Sequence, residues 1–74
     1  MTYVEVVRRL RAAGFVLDRH ARSGHEIWYS QQARRRVPVP HHPGDMRKGT
    51  LRAIIREAGF TVEEFMNLGK HGGQ

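Results

Sequence analysis

Ser23-Gly24-His25-Glu26-Ile27-Trp28-Tyr29-Ser30 is the stretch from which the architecture of this chain can be read. Isoleucine, tryptophan and tyrosine in succession favour extended backbone. Gly24 before them and Gln31-Gln32 after them mark turns. Residues 25–30 therefore read as a strand whose side chains alternate between two faces. His25, Ile27 and Tyr29 share one face, and Glu26 and Trp28 share the other. If Trp28 packs beneath helices, His25 points to the open face; the residues alone leave that parity undecided.

Working outward, residues 15–19 (Phe15-Val16-Leu17-Asp18-Arg19) alternate apolar and mixed positions and read as a second strand, with a polar turn over residues 20–24. On the other side, residues 31–34 turn the chain into a third strand over residues 35–39, with Val37 and Val39 on one side. Pro38 and Pro40 cannot donate to a ladder, which sends this strand to a sheet edge. Three short strands on brief loops make an antiparallel meander.

Helices flank the meander. Thr2-x-x-Glu5 is a capping box, and Met1 with Val6 stand where a hydrophobic staple closes over it. Val7 and Leu10, with Tyr3 or Val6 a turn earlier, form an apolar stripe opposite Arg8, Arg9 and Arg11. Gly14 ends this helix, over about residues 3–13, and Phe15 packs back onto Leu10. A second helix starts near Lys48, and Leu51, Ile54, Ile55 and Ala58 give the strongest helical periodicity in the chain. Gly59 ends it, and Phe60 closes onto Ile55. Ala-Gly-Phe thus recurs at 13–15 and 58–60 through shared helix-ending physics rather than through a repeat. Thr61-x-x-Glu64 is a second capping box, with Phe60 and Phe65 as its staple, opening a short helix to about residue 68. The expected fold is α+β: α-β-β-β-α, a three-stranded antiparallel sheet with two helices on one face, plus a short C-terminal helix. One domain spans residues 1–69, and residues 70–74 form a frayed tail.

The chain has 74 residues and no cysteine. A domain this small buries only about 60% of its unfolded surface, so its apolar residues must be used efficiently. No run approaches the roughly 18 apolar residues of a spanning helix, and the N-terminus lacks a signal-peptide core. A cytoplasmic protein without a membrane partner is the expectation. The net charge is +6, carried by 11 arginines against 2 lysines. Residues 19–48 hold seven positive and two negative groups, while residues 49–74 balance. Guanidinium forks bind phosphate bidentately and stack on bases, so a basic middle of this kind points to a nucleic-acid face.

Within that middle, His25 can take and give a proton near neutral pH, as RNA cleavage by internal 2′-hydroxyl attack requires. Gly24 clears space for a phosphate, and Arg22 is placed to offset charge developing on it. Arg34, Arg35 and Arg36 would grip phosphates, although charge on an edge strand also prevents aggregation. Arg47 and Lys48 sit at a helix N-terminus, where cations oppose the macrodipole unless an anion binds between them; Thr50 adds a hydroxyl there. The adjacent His41 and His42 have only Asp45 as a nearby free carboxylate. They read as a loop pair, with no metal or other cofactor expected.

These residues together resemble the HicA family of bacterial toxins. The resemblance rests on Gly24-His25-Glu26-Ile27-Trp28, on residues 37–42 (Val-Pro-Val-Pro-His-His), and on Lys48-Gly49-Thr50-Leu51 followed by Ile54-Ile55-Arg56-Glu57-Ala58-Gly59. It implies a double-stranded-RNA-binding-domain-like fold, ribosome-independent cleavage of mRNA, and one essential histidine, which falls on His25. It also implies a cognate HicB-type antitoxin that covers the His25 face. The family usually carries glycine-serine-histidine, whereas here Ser23 and Gly24 stand in the exchanged order. Two other classes compete: a non-catalytic RNA-binding module of the same fold, which would lose little when His25 becomes alanine, and a protein-only adaptor, which would show no salt-dependent RNA affinity.

Overall fold

The structure, a computed structural model, describes residues 1–41 and 43–70. Its elements run α1 (Tyr3–Ala12), β1 (Val16–His20), β2 (His25–Ser30), β3 (Arg35–Pro40), α2 (Lys48–Ala58) and α3 (Val62–Asn67). The strands form one antiparallel sheet in the order β1-β2-β3, so the strand that carries His25, Trp28 and Tyr29 is its centre. This is the α+β arrangement expected, with an open three-stranded sheet. Of the tail expected over residues 70–74, residues 71–74 lie outside the described residues.

Local signals account for where the helices begin and end. Thr2 and Thr61 each accept a hydrogen bond from the backbone three residues on, and Glu5 and Glu64 reach back to the cap backbone, so both capping boxes are complete. Gly14 (φ 94°) and Gly59 (φ 91°) hold the left-handed conformation after α1 and α2. Phe15 N–H donates to Leu10 O (2.9 Å) and Phe60 N–H to Ile55 O (3.1 Å), the six-to-one closure of a Schellman motif at both sites. That closure takes Phe15 out of the first strand. β1 therefore starts at Val16 and runs on to His20, one residue later than the alternation suggested.

One core holds the layers together. Val6, Val7 and Leu10 of α1, Ile54, Ile55 and Ala58 of α2, and Phe65 of α3 pack with Phe15, Met46, Trp28, Val37 and Val39. Since Trp28, Val37 and Val39 face the helices, the parity of β2 is settled. His25, Ile27 and Tyr29 lie on the uncovered face, paired across β3 with Pro40, Pro38 and Arg36. β1 is exposed along its whole length and carries a bulge between Leu17 and Arg19.

Candidate functional site

His25 owes its position to the hairpin that precedes it. Ala21 N–H donates to His25 O (2.8 Å), and Gly24 N–H donates to Ala21 O (3.0 Å), closing a tight turn over residues 21–24. Gly24 has φ 89°, a left-handed value that a side chain would strain. A Cβ there would meet nothing within 4 Å, so backbone geometry, not crowding by the protein, calls for glycine. The turn brings Ser23 Oγ to 2.9 Å from His25 Nδ1. A hydroxyl both donates and accepts, so it can hold this nitrogen whether the ring is neutral or protonated. Nε2 has no partner among the described residues.

Around the half-buried His25 ring the open face is a platform with a charged border. Ile27, Tyr29, Pro38 and Pro40 form its floor, and Val16 lies beside Tyr29 across the first strand pair. The Arg36 guanidinium sits 4.4 Å over the Tyr29 ring, and its Nε lies 3.9 Å from Asp18 Oδ2. Arg19, paired with Ile27, borders the other side. An apolar floor with the Tyr29 ring in it, a guanidinium border and a histidine whose Nε2 is unpartnered among the described residues can stack a base, hold phosphates and move a proton.

The remaining basic candidates divide by position. Arg22 is exposed in the turn before His25. Arg34 is exposed at φ 56°, the one non-glycine residue with positive φ among those described. Arg35 takes the helix side of β3, where its Nη1 donates to Glu57 O (3.2 Å) at the end of α2. Arg36 takes the open side. Arg47 is the N-cap of α2 and offers no side-chain cap, and no acidic residue stands in the first turn. The first amides of α2 therefore lack a side-chain acceptor beside Arg47, Lys48 and Thr50. His41 stacks on Tyr3 (ring centroids 4.1 Å apart), while its neighbour His42 lies outside the described residues.

One group escaped the sequence reading. Glu26, adjacent to His25 but on the helix side, is 5% exposed and gathers four partners. Tyr3 Oη donates to its Oε1 at 2.5 Å and Trp28 Nε1 to the same atom at 3.1 Å; His20 Nε2 and His41 Nδ1 each lie 3.7 Å from Oε2. Burial alone would raise its carboxyl. The hydrogen bonds from Tyr3 and Trp28 and the charges of His41 and His20 outweigh that and hold it below the ordinary carboxylate value. Burial, with Glu26 beside it, pushes the Tyr3 hydroxyl up to about 12. The parity shared with Trp28 was the available signal: an acidic residue two positions from a buried tryptophan on one strand shares its face, and where it is buried there it needs donors. Among the described residues no group of three or more histidine, aspartate or glutamate side chains is suited to hold a metal ion, and no helix is long and apolar enough to cross a membrane.

No curated protein matches the chain. A family model does: that of the HicA toxin of bacterial toxin-antitoxin, over residues 3–60. The match runs from the first turn of α1 through the capped end of α2 and so includes the whole sheet and His25. Membership also implies a cognate antitoxin as partner. The chain belongs to the HicA toxin family.

Proposed function

We propose that this chain is the ribosome-independent endoribonuclease of a toxin–antitoxin pair, cleaving mRNA without a metal or other cofactor. The carrying observation is His25. Its ring stands on the open face, held at Nδ1 by Ser23, with Nε2 unpartnered among the described residues. In this reading the 2′-hydroxyl of a bound strand attacks the adjacent phosphorus, the bond to the 5′-oxygen breaks, and His25 carries one of the two protons that must move. Bases stack on Tyr29 and its neighbours. Arg22, Arg34, Arg36 and the Arg47, Lys48, Thr50 corner hold phosphates; Arg35 contributes through the donors that Glu57 leaves free. Gly24 keeps the approach to His25 clear. A HicB-type antitoxin silences the toxin by covering this face.

The test is cleavage of a structureless mRNA in chelator, beside a His25→Ala variant of unchanged melting temperature. General acid–base catalysis contributes about 10²- to 10⁴-fold, so the variant should bind RNA normally and cut at least about 100-fold more slowly. One observation favours the rival, a non-catalytic RNA-binding module: of His20, His41 and His42, the nearby candidates for a second proton carrier, the two among the described residues, His20 and His41, both turn to Glu26. Parent and variant that bind equally, with neither cutting, would establish that rival.

A further inference from the structure

On the helix side of the molecule, the last turns of α1 and the segment after α3 enclose a cleft of about 700 Å³. Arg8, Arg9, Arg11 and Lys70 line it, with Leu68 and Gly69 at its wall, and no acidic residue contributes. None of the four cations makes an ion pair among the described residues, although the Arg11 guanidinium also lies 5.2 Å from the centre of the Trp28 ring. Helix-dipole complementarity explains why Arg9 and Arg11 suit the last turn of α1. It does not explain Arg9 Nε, which is shielded from solvent and has no hydrogen-bond partner, while the Nη1 of the same group donates to Glu5 O (3.2 Å). A buried donor left unpaired is costly. A guanidinium that turns outward to an oxyanion recovers it, because Nε and Nη together form one side of a bidentate fork.

We propose that this cleft is a second phosphate-binding site, which takes backbone phosphates of an RNA strand long enough to reach it from the His25 face. The proposal rests on the RNA-binding part of the functional reading and is independent of whether His25 cuts. Three arginines and a lysine around one cleft suit a ligand that brings several charges at regular spacing, as a phosphodiester strand does. Position then sets the signature. α1 covers the face of the sheet opposite His25, and its last turns lead into β1 at Val16, which pairs with Tyr29 rather than with the His25 end of β2. Across a body of 36 × 28 × 21 Å, a strand held on the open face must pass the sheet edge to reach the cleft, so only RNA of sufficient length occupies both.

The experiment measures binding of RNAs of about 3 and about 30 nucleotides by anisotropy across a salt series. It uses the His25→Ala full chain, so that cleavage cannot intervene, with and without Arg8→Gln, Arg9→Gln and Arg11→Gln together. The expected result is about tenfold or greater weakening for the long RNA alone, with the slope of log Kd against log salt reduced by about 2. Equal affinity of parent and triple variant for the long RNA overturns the site. Equal losses at both lengths also overturn it, and the single Arg9→Gln variant with a matched melting curve guards against misfolding as their cause. If polyglutamate displaces the long RNA as well as an equally charged oligonucleotide does, the cleft is a site for acidic protein segments and the proposal fails. Salt-independent or absent binding of both RNAs to the parent would instead sink the RNA reading itself.

Discussion

The two faces of β2 carry the same number of side chains and put them to opposite uses. On the helix side, Glu26, Trp28 and Ser30 are buried, and each has its polar atoms engaged: Glu26 by Tyr3 and Trp28, Ser30 by the Ala33 amide. On the open side, His25, Ile27 and Tyr29 are half-buried, and the His25 ring ends in a nitrogen with no partner among the described residues. The difference teaches that one strand of period two can separate stability from chemistry by a single residue step. Damage to one face should be felt in unfolding and damage to the other in binding or turnover.

Substitutions at four positions test that separation, the largest effect first. Trp28→Ala removes the largest fully buried side chain and should cost about 3–5 kcal/mol of unfolding free energy, measured by urea denaturation. That is comparable with the whole stability of a small domain. A cost below about 1 kcal/mol would show that the helix side is not where the fold is held. Glu26→Ala leaves the Tyr3 hydroxyl and Trp28 indole without their acceptor and should cost about 1–3 kcal/mol. Because the folded carboxyl of Glu26 lies below its ordinary value of 4.5, its contribution is complete above that value and disappears as pH falls through the folded one. Glu5, held low by hydrogen bonds from Thr2, adds a loss of the same sign. The parent should therefore lose stability below about pH 4.5, and Glu26→Gln should flatten part of that decline. An unaltered profile would remove Glu26 from the account.

On the open face the expectations reverse. Tyr29→Ala should weaken RNA binding by about 1–3 kcal/mol if one base stacks there, with a smaller change in unfolding free energy, about 1 kcal/mol or less, from the lost Arg36 contact. Stability loss without affinity loss would reassign Tyr29 to the fold. Ser23→Ala should slow cleavage about two- to tenfold, the worth of one exposed hydrogen bond, with RNA affinity unchanged. Nitrogen-15 shifts of the His25 ring should move toward those of an unconstrained imidazole, and Ser23→Thr should restore both. Unchanged ring shifts would mean that the serine does not hold the histidine.

Much of the fold was legible because its signals are local. Both capping boxes, both glycine closures and the proline-marked edge strand depend on neighbours within a few residues. The boundary displaced at the start of β1, at Phe15, arose where a helix closure and a strand competed for the same residue. The site was legible in part. His25 and the face it takes followed once Trp28 was seen to be buried, and strand period alone would have separated Arg35 from Arg36. The Ser23 contact was not legible, since it depends on the left-handed backbone of Gly24 curling the turn beneath the ring. Nor was the arginine cleft, which exists only because the segment after α3 returns to lie along α1.

The edges of the sheet have a consequence for how the protein behaves in a crowd of its own copies. Pro38 and Pro40 pair with Ile27 and His25 at positions where β3 gives no amide to β2, so their rings turn to the outer edge and remove two donors from it. The opposite edge is broken by the bulge between Leu17 and Arg19. An incoming strand finds a regular ladder on neither side. High concentration should therefore leave this domain dispersed instead of assembling it into fibrils through its sheet, and any inactivation during accumulation would have to come from a partner built to fit it.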